Sequence, residues 1–244
     1  MIHIIYMTQF NKTALKRIAA DVSDIIKNPL EDNGVYYKHD EDTIVDGYAL
    51  IIGPSETPYS GGIYLFHFIF PNEYPHLPPK VIFCTGDGET RFNPNFYKNG
   101  KVCLSVLNTW KGEQWSACQT IRSILLTLVT TFNSNPLLNE PGIRNTWHDI
   151  PKYNEIIFFK NIEIAMYDMI HHKRYKTFFS FFETTINEIF LNNVDTILEE
   201  IRKKIKIYPK TRKLETQLYK MEFKLSYKAL EKKIDQLKHD LKKN

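Results

Sequence analysis

Cysteine is scarce in this chain: three residues, Cys84, Cys103 and Cys118, at spacings that form neither a disulfide framework nor a zinc pattern. Long apolar runs are missing as well. None reaches the roughly 18–20 residues of a membrane span, so no membrane association is expected. The opening residues 1–7 lack the basic start, long apolar stretch and small-residue cleavage site of a signal peptide. No internal repeat or low-complexity tract stands out, and with 43% hydrophobic and 25% charged residues the composition is far from the disordered regime. These absences predict a soluble, reduced, intracellular protein, cytoplasmic with the nucleus as a second compartment. Histidine is absent from the 26 residues on either side of Cys103, the nearest being His76 and His148.

What is present is enough for one good core with a surplus: 244 residues. The net charge of +4 hides an asymmetry, because from Glu200 onward fifteen Lys/Arg stand against six Asp/Glu. Nucleic-acid binding is one reading of such a tail. A solvated helix face is preferred, since the lysines alternate with apolar residues instead of clustering.

Along the chain, residues 12–27 set Leu15, Ile18, Ala19, Val22, Ile25 and Ile26 at helical spacing, ending at Asn28-Pro29. Four strand candidates follow, roughly 34–39, 46–53, 62–70 and 80–84. In the third, Tyr64, Phe66, Phe68 and Phe70 alternate onto one face, read as the buried one. His67 is read as a packed histidine, because no second ligand lies at metal spacing. Residues 70–79 carry four prolines and form a stiff crossover, with Tyr74-Pro75 a candidate cis bond. Helical patterns return over 119–132, 152–170 and in the run 175–207. A last lysine-rich helix is expected over 212–241, its apolar phase shifting near Tyr227.

The chemistry concentrates in residues 91–105. Asn93-Pro94-Asn95 and Asn99-Gly100 are two successive turns that fold Asn95 back toward Cys103. Hydrolytic cysteine enzymes need a histidine to generate thiolate, and none is near in sequence. A thiol without an evident base suits exchange with an acyl group that is already activated, a thioester. The Asn95 amide would then either donate to an oxyanion or simply brace the loop. No metal or cofactor is expected.

The ordered motifs are Gly53-Pro54, Pro58-Tyr59-Ser60-Gly61-Gly62, Phe70-Pro71-Asn72-Glu73-Tyr74-Pro75-His76-Leu77-Pro78-Pro79, Asn93-Pro94-Asn95, Gly100-Lys101-Val102-Cys103-Leu104 and Trp115-Ser116. They resemble the ubiquitin-conjugating enzyme catalytic domain over about residues 12–170. The insertion Asn108-Thr109-Trp110-Lys111-Gly112-Glu113-Gln114 and Asn139-Glu140-Pro141-Gly142 resemble the Z-type enzymes and the conjugating domains of large hybrid conjugating-ligase proteins. The resemblance implies an α+β ubiquitin-conjugating fold: an N-terminal helix, a four-stranded antiparallel meander and C-terminal helices, with 1–170 the catalytic domain and 171–244 a helical extension.

It further implies that Cys103 accepts ubiquitin, or a ubiquitin-like modifier, from an activating enzyme and passes it to a lysine or a ubiquitin ligase. Asn95 matches the catalytic asparagine, with Asn93, Pro94 and Leu104 forming the active-site loop; Asn93 replaces the family's usual histidine, a loop brace. The acidic residue that orients the acceptor lysine in the family falls at Leu138 here, which makes Glu140, with Asn139 beside it, the substitute. Lys16 and Arg17 match activating-enzyme contacts, although a third basic position is Ala20. His76, Trp115, Ser116 and Ala117 occupy the ligase-contact region. His76 stands where a Phe is common and Ala117 where a Pro is common, which shifts expected ligase recognition toward the insertion or the tail. The non-enzyme alternative is an inert ubiquitin-binding scaffold of the same fold; a cysteine hydrolase has only the lone thiol in its favour.

Overall fold

In a computed structural model that describes residues 10–243, the chain opens with helix α1 (Lys12–Lys27). Residues 1–7, read above for a leader, lie outside the described residues. The side chain of Asn11 caps α1 by accepting from the Thr13 amide at 2.9 Å, which satisfies one of the donors a helix start leaves open. The inward face of α1 differs from the expected one. It carries Ala14, Ile18, Asp21 and Ile25, while Ala19 faces solvent and Ile26 is 73% exposed. Asp21 explains the rotation. Its carboxylate takes the Arg17 guanidinium at 2.8 Å, the Tyr74 hydroxyl and the Ile121 amide at 3.4 Å, so a charged residue sits inside as a paired group.

Strands β1 (Val35–His39), β2 (Asp46–Ile52), β3 (Ile63–Ile69) and β4 (Lys80–Phe83) form one antiparallel sheet in chain order. On β3, Tyr64 and Phe66 enter an aromatic core, Tyr64 lying 4.6 Å from Phe132 and Phe66 5.3 Å from Phe96 between ring centroids. The opposite row is no solvent face: Ile63 and Leu65 are buried too. The C-terminal segment covers it, with Phe179 edge-on to Tyr48 at 5.3 Å and Phe178 stacked on His67 at 6.2 Å. His67 is a packed residue bonded to Asp46 at 2.6 Å. The proline crossover holds a cis Tyr74-Pro75 bond.

Helix α2 (Ile121–Thr131) starts at a reciprocal capping box between Thr120 and Ser123. Helix α3 (Ile150–Lys160) runs on through a π-helical stretch, Asn161–Asp168, to a last turn at Met169–His171. At the widening, buried Asn161 accepts from the Tyr64 hydroxyl at 2.6 Å and donates to the Ser60 carbonyl at 3.1 Å. A Cβ at Gly62 would lie 1.8 Å from the Asn161 side-chain oxygen, so only glycine fits there.

Helix α4 (Glu183–Ile207) follows. Where one helix was expected over 212–241, the chain instead makes a hairpin of β5 (Arg212–Glu215) and β6 (Glu222–Leu225), then helix α5 (Tyr227–Lys243). The spacing Leu214, Leu218, Met221, Leu225 fits helical turns, yet a hairpin also buries Leu214, Leu225 and, in its turn, Met221. The phase shift near Tyr227 marks the strand-to-helix junction. One contiguous core runs from Ala14 to Leu237 and includes Phe190, Ile201 and Ile234, so 171–244 is built into the same core as 1–170 and contains strands as well as helices. Among the described residues no helix is long and apolar enough to cross a membrane.

Candidate active site

The two turns act as the sequence suggests. Gly100, at φ +85°, takes the left-handed conformation that a side chain would resist, and the chain reverses so that Cys103 N donates to Asn95 O at 2.8 Å. Asn95 and the cysteine are therefore neighbours. The Asn95 amide nitrogen donates to the Cys103 carbonyl at 2.8 Å. A carboxamide has two N–H bonds, so this brace occupies one and leaves a second.

Asn93 is wholly buried and makes four hydrogen bonds. Its oxygen accepts from Asn95 N at 2.9 Å and Asn139 Nδ2 at 3.3 Å; its nitrogen donates to the Tyr59 hydroxyl at 3.0 Å and the Thr131 carbonyl at 2.8 Å. Pro94 is buried, and its carbonyl accepts from Arg91 Nη2 at 2.7 Å. Leaving a buried amide of this kind without partners costs about 1–3 kcal/mol, so the loop is tied to a single geometry. Asn139 belongs to that framework. It donates to Asn93 and to the Thr131 carbonyl at 3.0 Å and accepts from Asn133 at 2.9 Å, a brace and not a group facing the sulfur.

Cys103 is only 3% exposed, with Leu104 buried beside it. Its thiol donates to the Thr109 carbonyl at 2.8 Å. Thr109 belongs to the insertion noted in the sequence, and its hydroxyl accepts from Leu104 N at 2.9 Å, which pins the insertion over the sulfur. Burial pushes the thiol pKa up, while the nearby cations of Lys101 and Arg91 pull it back. The net direction favours the protonated thiol, and among the described residues no histidine hydrogen-bonds it. Arg91 stacks over the Tyr97 ring at 3.4 Å and over Tyr219 at 5.0 Å. Neither Arg91 nor Tyr219 was singled out from sequence, and Tyr219 fell inside the segment read as helix.

Thr109 separates two crevices. One, about 540 Å³, is lined by Pro78, Lys80, Ile82, Asn99, Lys101 and Thr109 among others. The other, about 790 Å³, is lined by Asn108, Thr109, Trp110, Lys111, Gln114, Glu140 and Pro141. Glu140 thus shares a crevice with Thr109, whose carbonyl holds the thiol, and its carboxylate accepts from the Tyr219 hydroxyl.

The partner positions separate into surface and framework. Lys16 is exposed, but Arg17 is spent inside the fold on Asp21, the Ala117 carbonyl at 2.7 Å and the Gln119 carbonyl. Trp115 is buried and donates to the Pro75 carbonyl at 2.7 Å. His76, Ser116 and Ala117 are exposed, with Leu77 at 48%.

Comparison with known proteins agrees with this architecture. The family model described as "Ubiquitin-conjugating enzyme" matches residues 17–164. Ubiquitin-conjugating enzyme E2 Z of Homo sapiens is 44% identical over 162 residues, 65% of this chain and 45% of that protein. Its Danio rerio counterpart is 42% identical over 166 residues, 67% of this chain and 50% of that protein. The human dual E2 ubiquitin-conjugating enzyme/E3 ubiquitin-protein ligase BIRC6 is 43% identical over 118 residues, 45% of this chain and 2% of that protein. The chain spans about half the length of the E2 Z relatives it matches. With the meander, the asparagine–cysteine pair and a match over most of its length, the chain belongs to the ubiquitin-conjugating enzyme family.

Proposed function

We propose that Cys103 carries ubiquitin, or a ubiquitin-like modifier, as a thioester received from an activating enzyme and delivered to a lysine amine or a ligase cysteine. The observation that carries this reading is the Asn95 amide bonded to the Cys103 backbone, with no histidine among the described residues in hydrogen-bond contact with the thiol. In the loading step the Cys103 sulfur loses its proton and attacks the modifier's C-terminal thioester carbonyl, and the activating enzyme's thiolate leaves. In the transfer step an amine attacks that carbonyl, the tetrahedral oxyanion forms, the amine proton is lost and the Cys103 thiolate departs. The free N–H of Asn95 is the donor for the oxyanion. Glu140 receives the acceptor side: its carboxylate can hold an ammonium or take the proton, while the Trp110 indole in the same cleft offers an apolar surface for a lysine stem. Lys16 is a first-helix cation open to an activating enzyme, and His76, Leu77, Ser116 and Ala117 form the surface offered to a ligase. Three free thiols suit a reducing compartment, the cytoplasm with the nucleus beside it.

The test is incubation with activating enzyme, ATP and ubiquitin, read for a thiol-labile adduct. Wild type is expected to form one, and Cys103→Ser to form at most a thiol-resistant oxyester. Failure of wild type to charge with a panel of activating enzymes and modifiers would leave the inert scaffold reading. A thiol-labile adduct on Cys103→Ser would move the nucleophile elsewhere.

A further inference from the structure

The turn between β5 and β6 reaches Glu140, the group proposed above for the acceptor side. Two consecutive non-glycine residues there, Tyr219 at φ 66° and Lys220 at φ 47°, adopt the left-handed conformation that a bulky L-residue resists. Such a turn persists only where its surroundings hold it, and here they do. Leu218 N donates to the buried Asp149 carboxylate at 2.9 Å, Thr216 N donates to the Met221 carbonyl at 3.0 Å, and the Met221 sulfur accepts from Arg91 N at 3.3 Å. The turn therefore docks behind the Asn93-Pro94-Asn95 loop, whose Pro94 carbonyl the same Arg91 holds.

The strained turn aims Tyr219. Its ring lies 6.2 Å from Tyr153 and beneath the Arg91 guanidinium, and its hydroxyl donates to Glu140 Oε2. Burial and the Glu140 carboxylate both raise the phenol pKa, so the hydroxyl stays a donor. Among the described residues Tyr219 is the side chain that bonds this carboxylate, and Glu140 lines the cleft.

We propose that Tyr219 is a positioning residue for transfer to amines: the C-terminal extension, through this one hydroxyl, holds the Glu140 carboxylate at the acceptor side of the Cys103 thioester. The inference rests on Glu140 being the acceptor-side group. It makes the extension part of the active site, and it assigns the requirement to nitrogen acceptors. A thiol acceptor needs no carboxylate to orient an ammonium.

The experiment charges full-length protein on Cys103, quenches the activating enzyme and follows discharge to free lysine and, separately, to 2-mercaptoethanol, for wild type, Tyr219→Phe, Glu140→Gln and the double variant. Tyr219→Phe keeps the ring on Tyr153 and Arg91 and removes only the hydroxyl. It is expected to slow discharge at subsaturating lysine about ten-fold, the size for one hydrogen bond to a charged group. The effect should fall mainly on the lysine concentration for half-maximal rate, with thiol discharge changed less than about two-fold. The double variant should be no slower than Glu140→Gln alone, because both remove one linked interaction. If Glu140→Gln slows lysine discharge and Tyr219→Phe does not, Tyr219 has no positioning role while Glu140 keeps its own. If Glu140→Gln discharges to lysine like wild type, the Glu140 reading fails and this proposal with it. Equal slowing of both acceptors in Tyr219→Phe would mean general damage to the site and would also overturn it.

Discussion

The side-chain amide of Asn95 donates to the backbone carbonyl of Cys103 at 2.8 Å, while the Cys103 amide donates to the Asn95 carbonyl at the same distance. The two residues are locked in register by reciprocal bonds, and the second N–H of Asn95 is the donor proposed for the oxyanion. Asn95→Ala removes one brace and that donor together. Lysine discharge should fall about 100-fold, the size for one lost oxyanion donor, and by more than loading falls. Single-turnover charging and discharge assays measure both. Equal loss in the two steps would make Asn95 a structural residue only.

Lys16 and Arg17 are adjacent in sequence but differ in what they touch. Arg17→Ala would strip the cation from the buried Asp21 carboxylate and free two carbonyls. It should cost about 3 kcal/mol, near the lower end for breaking a buried ion pair because Arg17 keeps some solvent contact. Lys16→Glu should leave the denaturation midpoint within the ±0.5 kcal/mol typical of surface changes and slow loading by the activating enzyme. Urea unfolding and loading rates separate the two. A stable Arg17→Ala variant would contradict the framework role.

Thiol reactivity should order the cysteines. Cys118 is exposed and should be alkylated first. Cys103 follows, slowed by cover and a raised pKa, its rate still climbing above pH 9. Cys84 is half-buried with its pKa pushed up to about 11 by burial, and should be last. Both of these thiols, with pKa values raised in the fold, keep protons that the unfolded chain loses first on alkaline titration. Each therefore contributes stability that is full below the unfolded thiol's pKa and is lost as pH rises through its folded pKa, about 11 for Cys84. Iodoacetamide labelling with peptide mapping from pH 7 to 10 tests the order. Fast labelling of Cys103 at pH 7 would indicate a stabilised thiolate instead.

The C-terminal helices should prove necessary for the fold. Phe190, on α4, is 1% exposed in the core shared with the sheet. Phe190→Ala should destabilise the whole protein by about 3–5 kcal/mol through the cavity it leaves. The unfolding should stay a single transition, followed by circular dichroism in urea. Separate transitions for 1–170 and 171–244 would show that the shared core is not cooperative.

Features set by neighbouring residues were legible in the chain itself. The apolar period of α1, the alternation on β3 and the Asn-Pro-Asn and Asn-Gly turns depend on local backbone geometry, so the meander and the approach of Asn95 to Cys103 could be read from residue order. The family motifs added Glu140 as a candidate but gave it no partner. Other features depended on which surfaces meet. The rotation of α1 came from Arg17, Tyr74 and Asp21 pairing across the fold. The cover over Ile63 and Leu65 came from residues more than a hundred positions away, and the same short apolar spacing served a hairpin where a helix was expected. Tyr219 reaches Glu140 across 79 positions of sequence. Burial of apolar surface is favourable in any direction, so the pattern of one segment states that a face will be covered and leaves its partner to the packed fold.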